Sequence, residues 1–143
     1  MSGFLLDTNV VSELRKRERA DPHVRSWFED SSESEFWLSV LVVAELRRGV
    51  ELIERRDPAG AAILRVWLES TIEDFSDFIL PVSLAIGQRW ALLSVPEPLP
   101  MIDGLVAATA LEHDLTLATR NVSDVLRTGV DLVNPFAPRR AKS

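Results

Sequence analysis

Gly3-Phe4-Leu5-Leu6-Asp7-Thr8-Asn9-Val10-Val11-Ser12-Glu13-Leu14 is the stretch on which the fold turns. An unbroken apolar run stops at Asp7-Thr8-Asn9, and Val10, Val11 and Leu14 then recur at helical spacing up to the charged run Arg15 to Arg19. This is a strand, a polar turn and a helix, and a strand without polar alternation belongs to a sheet covered on both faces. The pattern repeats downstream. Asp21-Pro22 supplies an N-cap with proline at the first helical position, opening a short helix through Val24, Trp27 and Phe28. Phe36-Trp37-Leu38 reads as a second strand, and Ser39 caps a helix from about Val40 to Arg56 with Val43, Leu46, Val50 and Ile53 on one face. Asp57-Pro58 repeats the start signal for a helix carried by Ala62, Ile63, Val66, Trp67 and Ile72.

Phe78 to Val82 is predicted as a third strand, at an edge because of Pro81, with a helix from Ser83 to Leu93 behind it. Pro96, Pro98 and Pro100 make a stiff loop. From Met101 to Leu111 almost every residue is apolar or small, so this helix is packed on most sides, and Asp103 and Thr109 stand out. Leu115 to Ala118 is a fourth strand, Thr119 to Asp124 a polar turn leading to a short helix, and Asp131 to Val133 a fifth strand. Strands alternating with helices predict an α/β fold, a three-layer α/β/α sandwich around a parallel sheet of four to five strands. The 143 residues carry no internal repeat and fit one domain over 1–136, followed by a basic, flexible tail at 137–143.

Composition removes several function classes. Cysteine is absent, which excludes disulfides, thiol nucleophiles and cysteine-type zinc sites. No apolar run approaches the roughly 18 residues that would span a bilayer, so the chain is expected in the cytoplasm, away from membranes. The formal charge of −6 speaks against a generic nucleic-acid binder. Yet 14 of the 16 basic residues are arginine, the side chain suited to bidentate recognition of phosphate. His23 and His113 have no partner pattern and read as surface or structural residues, and the four tryptophans read as core or interface.

Position singles out a set of acids. Asp7 lies where the first strand ends, and Asn121 and Asp124 where the fourth ends; in parallel sheets such positions share one rim, where ligands bind. Glu45 falls on the border of an apolar helix face, and Asp103 heads an apolar stripe of Val106, Ala107 and Ala110. Partly buried carboxylates need partners, because an unpaired desolvated charge costs several kcal/mol. Taken singly, Asp7, Asp103 and Asp124 also suit helix caps, and Glu45 suits a salt bridge with Arg47 or Arg48. Taken together, they match the oxygen-only ligand set of Mg²⁺ or Mn²⁺. Such an ion polarises a phosphoryl oxygen and activates a water, which is phosphodiester hydrolysis in outline. It would also neutralise part of the acidic cluster and offer phosphate a positive centre.

These residues resemble the PIN domain, and within it the VapC-like toxins of type II toxin–antitoxin pairs, near the FitB-like branch. Leu5 to Leu14 is similar to the family's opening motif, Leu38 to Gly49 to its second, Asp103 to Ala110 to its third, and Leu117 to Asn121 with Asp124 to its fourth. The resemblance is ordered and spans nearly the whole chain. It implies a Mg²⁺- or Mn²⁺-dependent endoribonuclease, usually a homodimer, held inactive by a cognate antitoxin. Asp7, Glu45 and Asp103 would form the acidic triad that holds the metal. Asp124 is preferred as the fourth acid because it preserves the charge, with Asn121 in a hydrogen-bonding role; Val125 stands where relatives often carry phenylalanine. Thr8 and Asn9 would orient Asp7 or a metal-bound water, and Thr119 would hydrogen-bond the site. Arg47, Arg48 and Arg120 are candidates for RNA phosphate contacts, and Leu64, Trp67 and Leu68 for an antitoxin groove.

Two other readings of a strand-end aspartate stand beside this one. An α/β phosphohydrolase with an aspartyl nucleophile needs an acid two residues later, where this chain has Asn9. A phospho-receiver needs a lysine after a central strand, and Lys16 and Lys142 are the only lysines. A non-catalytic, metal-binding regulatory module also remains open, since fold does not fix function.

Overall fold

The computed structural model describes residues 3–138. The elements run β1 (Phe4–Leu6), α1 (Thr8–Leu14), α2 (Pro22–Asp30), β2 (Phe36–Ser39), α3 (Val40–Glu54), α4 (Pro58–Asp74), β3 (Ile79–Leu80), α5 (Leu84–Leu93), α6 (Met101–Glu112), β4 (Thr116–Ala118), α7 (Val122–Val125) and β5 (Leu132–Val133). The strands form one parallel sheet of five, within the four to five that the sequence predicts, and their order is β3-β2-β1-β4-β5. Of the basic tail expected at 137–143, residues 139–143 lie outside the described residues.

The chain builds outward from β1 through β2 to β3, then crosses to β4 and β5 on the other side. Right-handed crossovers therefore put α1 to α4 on one face and α5 to α7 on the other. The helix contacts follow that division: α3 packs on α4 and α1, and α6 on α5 and α7. β1 is central, with Leu5 opposite Trp37 on one side and Leu6 opposite Ala118 on the other. The reversal of strand order beside β1 opens a crevice at the carboxyl rim, and Asp7 stands there.

The helix starts follow local chemistry. Asp21 accepts from the His23 and Val24 N–H groups, Ser39 from Leu41 and Asp57 from Gly60. Leu5, Leu6, Leu38 and Leu117 from the strands meet Val42 and Leu46 of α3 and Val106 and Ala110 of α6 in the core. Each fully buried leucine contributes about 1.5–3 kcal/mol.

Three expectations need correction. Only Ile79 and Leu80 pair in the third strand, because Pro81 has no N–H to extend the ladder and Phe78 closes a 3-10 turn. The core line of α3 is Val42, Leu46 and Val50, with Val43 half-buried beside it. In α4 the buried residues are Ala61 and Leu68, whereas Ile63 and Val66 are each 72% exposed. With apolar residues on more than one side, the α4 sequence marks a helix without marking its inner face.

Candidate active site

The first turn after β1 makes Asp7, a candidate site residue, the cap of α1. Its side chain caps α1 by accepting the Thr8 N–H at 2.9 Å, and its own N–H is held by the Ala118 carbonyl at 3.0 Å. Its second carboxylate oxygen accepts the Thr119 hydroxyl at 2.7 Å and lies 3.4 Å from the Asn9 amide nitrogen. Asp7 is 6% exposed and Thr119 1% exposed, so this contact across the β1–β4 crevice is shielded from water. Asn121 ties in through its N–H, which donates to the Thr119 hydroxyl oxygen at 3.0 Å. Asn9 also accepts the Arg120 N–H at 3.1 Å, closing a lattice between the two strand ends.

Glu45 enters from α3. Its carboxylate accepts the Thr8 hydroxyl at 2.6 Å, so Thr8 serves Asp7 with its backbone and Glu45 with its side chain. The salt-bridge alternative for Glu45 falls, because Arg47 pairs instead with Glu69 of α4 and, among the described residues, no ion pair joins Arg48 to Glu45. Asp103 sits in the first turn of α6, past Pro100 at the cap position, so it does not cap the helix. Asp124 lies inside α7, where Asn121 holds the cap position, and it does not cap either. Among the described residues, the ion pairs involve none of Asp7, Glu45, Asp103 and Asp124.

Burial first, and then the negative fields of Asp7, Asp124 and Glu45, hold the Asp103 carboxyl above its ordinary range. Coulomb coupling decays with distance, so Asp7, Asp124 and Glu45 each lie within electrostatic reach of Asp103. As placed, no three His, Asp or Glu side chains among the described residues close on a single point. Asp7 and Glu45 are turned toward their threonine donors.

The candidate phosphate ligands are not alike. Arg47 is committed to Glu69, Arg48 is exposed on α3, and the Arg120 guanidinium stacks 3.7 Å above the Phe136 ring. The sequence reading missed Ser12 and Arg15. They lie four and seven residues after Thr8, on its side of α1, and line a groove of about 240 Å³ with Thr8 and Glu45. Helical periodicity from Thr8 would have found them. Leu64 and Trp67 line the same groove, but Leu68 is fully buried and does not.

The candidate site is thus a central-strand aspartate braced by the neighbouring strand, with three further acids carried by α3, α6 and α7 of a fold built on a parallel sheet. The PIN domain family matches residues 4–124, and the chain belongs to it. A VapC ribonuclease of Sinorhizobium fredii is 34% identical, with 94% of this chain and 99% of that protein covered. Toxin FitB of Neisseria gonorrhoeae is 33% identical over 93% of this chain and 98% of its own length. A solved FitAB complex bound to a DNA fragment superposes with a TM-score of 0.83 at 29% identity, covering 97% of this chain and 99% of the matched one.

Proposed function

We propose that the chain is a Mg²⁺- or Mn²⁺-dependent endoribonuclease, the toxin of a type II toxin–antitoxin pair, working in the cytoplasm as a homodimer until a cognate antitoxin inhibits it. The observation that supports this reading is the linkage of Asp7 and Glu45 through Thr8, with the Asp103 carboxyl feeling Asp7, Asp124 and Glu45 and, among the described residues, no cationic side chain ion-paired to any of the four. The relatives named ribonuclease and toxin, and the FitAB complex, support the activity and the partner.

The donor set fits the ion, because carboxylate oxygens alone, with no cysteine in the chain, suit a hard divalent cation. Asp7, Glu45, Asp103 and Asp124 would hold it, and when bound it supplies Lewis-acid polarisation and an activated water. Thr119 and the Thr8 N–H fix the Asp7 carboxylate, and the Thr8 hydroxyl fixes Glu45. Such second-layer contacts set ligand orientation. Arg48 and Arg120 are exposed guanidinium groups available to RNA phosphates. An aspartyl-phosphatase route is disfavoured by Asn9, whose amide cannot act as an acid and is engaged with the Arg120 N–H.

The test is cleavage of RNA by the purified chain with Mg²⁺ or Mn²⁺ and with chelator, beside Asp7→Asn. Cleavage is expected only with metal, and the variant is expected to lose at least about 100-fold in rate while keeping the native circular dichroism spectrum. Metal-independent cleavage, or full turnover by Asp7→Asn, would overturn the reading.

A further inference from the structure

Asp7 and Glu45 are each braced by a threonine hydroxyl, and Asp103 has no such support. Among the described residues its carboxylate accepts no hydrogen bond and joins no ion pair. Where that carboxylate reaches therefore depends on where the first turn of α6 lies, because a helical side chain leaves the backbone in a restricted set of directions. The next residue in the chain shows what holds that turn.

Gly104 is buried, in a notch with α5 on one side and the proline loop on the other. A Cβ on it would stand 2.9 Å from Cδ1 and 3.1 Å from Nε1 of Trp90, and 3.1 Å from Cβ of Leu99. Contacts to a Cβ essentially never close below 3.0 Å, so an alanine here would have to displace the indole or the turn. Glycine is less favourable than alanine inside a helix, so propensity does not account for residue 104 and close approach does. A Cβ on Gly87 of α5, by contrast, would meet nothing within 4 Å.

Both walls of the notch are anchored. α5 packs on α6, and the Trp90 carbonyl accepts the Ser94 N–H at 3.0 Å and the Ser94 hydroxyl at 2.8 Å. Leu99 is 8% exposed between Pro98 and Pro100, and the Pro100 carbonyl accepts the Gly104 N–H at 2.8 Å. The Trp90 Nε1–H is buried with no acceptor among the described residues. An unpaired buried donor opposes folding, so the ring is seated by its shape and not by a hydrogen bond.

We propose that Trp90 is a positioning residue for the acidic site: its indole edge, with Leu99, clamps Gly104 and so sets the first α6 turn from which Asp103 reaches the crevice. This role rests on the metal-dependent reading of the site and adds what aims its one unbraced helix acid. Trp90 acts through the backbone of Asp103 and Gly104.

The test is Mn²⁺ affinity, read by electron paramagnetic resonance of the free ion, for the full chain, Gly104→Ala, Gly87→Ala, Trp90→Leu and Trp90→Leu/Gly104→Ala, beside melting in chelator. Gly104→Ala is expected to raise the Mn²⁺ Kd at least about tenfold, the size of effect seen when the support of a metal ligand is lost, while Gly87→Ala leaves it unchanged. In the Trp90→Leu background Gly104→Ala is expected to change Kd by less than about twofold, because the ring it would strike is gone. A Gly104→Ala chain that melts lower in chelator yet binds Mn²⁺ like the parent would overturn the proposal and leave the contact as packing alone. An equal loss from Gly104→Ala with and without the Trp90 ring would overturn it as well. If Gly104→Ala does not fold, the parent decides: its Trp90 indole N–H resonance, identified by Overhauser contacts to the Gly104 α-protons, is expected to shift as Mg²⁺ is added, and a resonance unmoved at saturation would overturn the role. A parent that binds Mn²⁺ and cleaves RNA through any of these failures keeps the ribonuclease reading intact. No Mn²⁺ binding by the parent would remove both.

Discussion

Asp103 carries the clearest conflict between folding and function. Burial, and then Asp7, Asp124 and Glu45, raise its carboxyl above the reference value of 3.8, so the folded chain holds that proton more tightly than the unfolded chain does. The penalty from Asp103 is absent in acid, grows across the interval between 3.8 and the raised folded value, and stays at its full size above it. In chelator at neutral pH, Asp103→Asn is therefore expected to melt at a higher temperature than the parent, with the difference shrinking by about pH 3.5. A melting temperature equal to or below the parent's at neutral pH would contradict the like-charge cluster. Thr119 plays the opposite part. Its buried hydroxyl gives Asp7 a short hydrogen bond and takes one from the Asn121 N–H, so it supports the site and the fold together.

At the scale of elements, helix starts were legible from the chain and helix faces only partly so. Asp21, Ser39 and Asp57 are caps because capping is a bond to an N–H two or three residues on, which sequence displays. Asp7, Glu45 and Asp103 could be placed because strand ends and helix phases fix a rim. The Thr8 hydroxyl bond to Glu45 could not, since it joins residues 37 apart through the packing of α1 on α3. The α4 face failed for a related reason. That helix packs on α3 with Ala61 and Leu68 buried and Leu64, Trp67 and Ile72 partly buried against the core, while Ile63 and Val66 face outward. Leu68→Ala is accordingly expected to cost about 2–5 kcal/mol by chemical denaturation, and Val66→Ala at most about 0.5. Comparable losses at both sites would mean that the Val66 side of α4 is covered in solution.

For the whole molecule, the charge of −6 takes on a different meaning once its distribution is known. Among the described residues Glu13, Glu51, Glu54, Glu69 and Glu112 are ion-paired with Lys16, Arg65, Arg47 and Arg89, where such pairs are weak, while Asp7, Glu45, Asp103 and Asp124 have no ion pair and the first, second and fourth act on the third. Monovalent salt screens the first group and the exposed Asp124, and does little for the buried Asp7 and the half-buried Glu45 and Asp103. A divalent ion acts on the second by binding the folded chain alone, which at a hundredfold excess over Kd is worth about 2.7 kcal/mol. For a domain of this size that corresponds to a rise in Tm on the order of 10 °C. Differential scanning calorimetry in millimolar Mg²⁺ or Mn²⁺, against NaCl of matched ionic strength with chelator, should show that rise in the parent and lose most of it in Asp7→Asn. Equal melting temperatures in the two buffers would separate the acid cluster from metal binding, because a response that depends on cation valence and on Asp7 together is the signature of an ion held by that carboxylate.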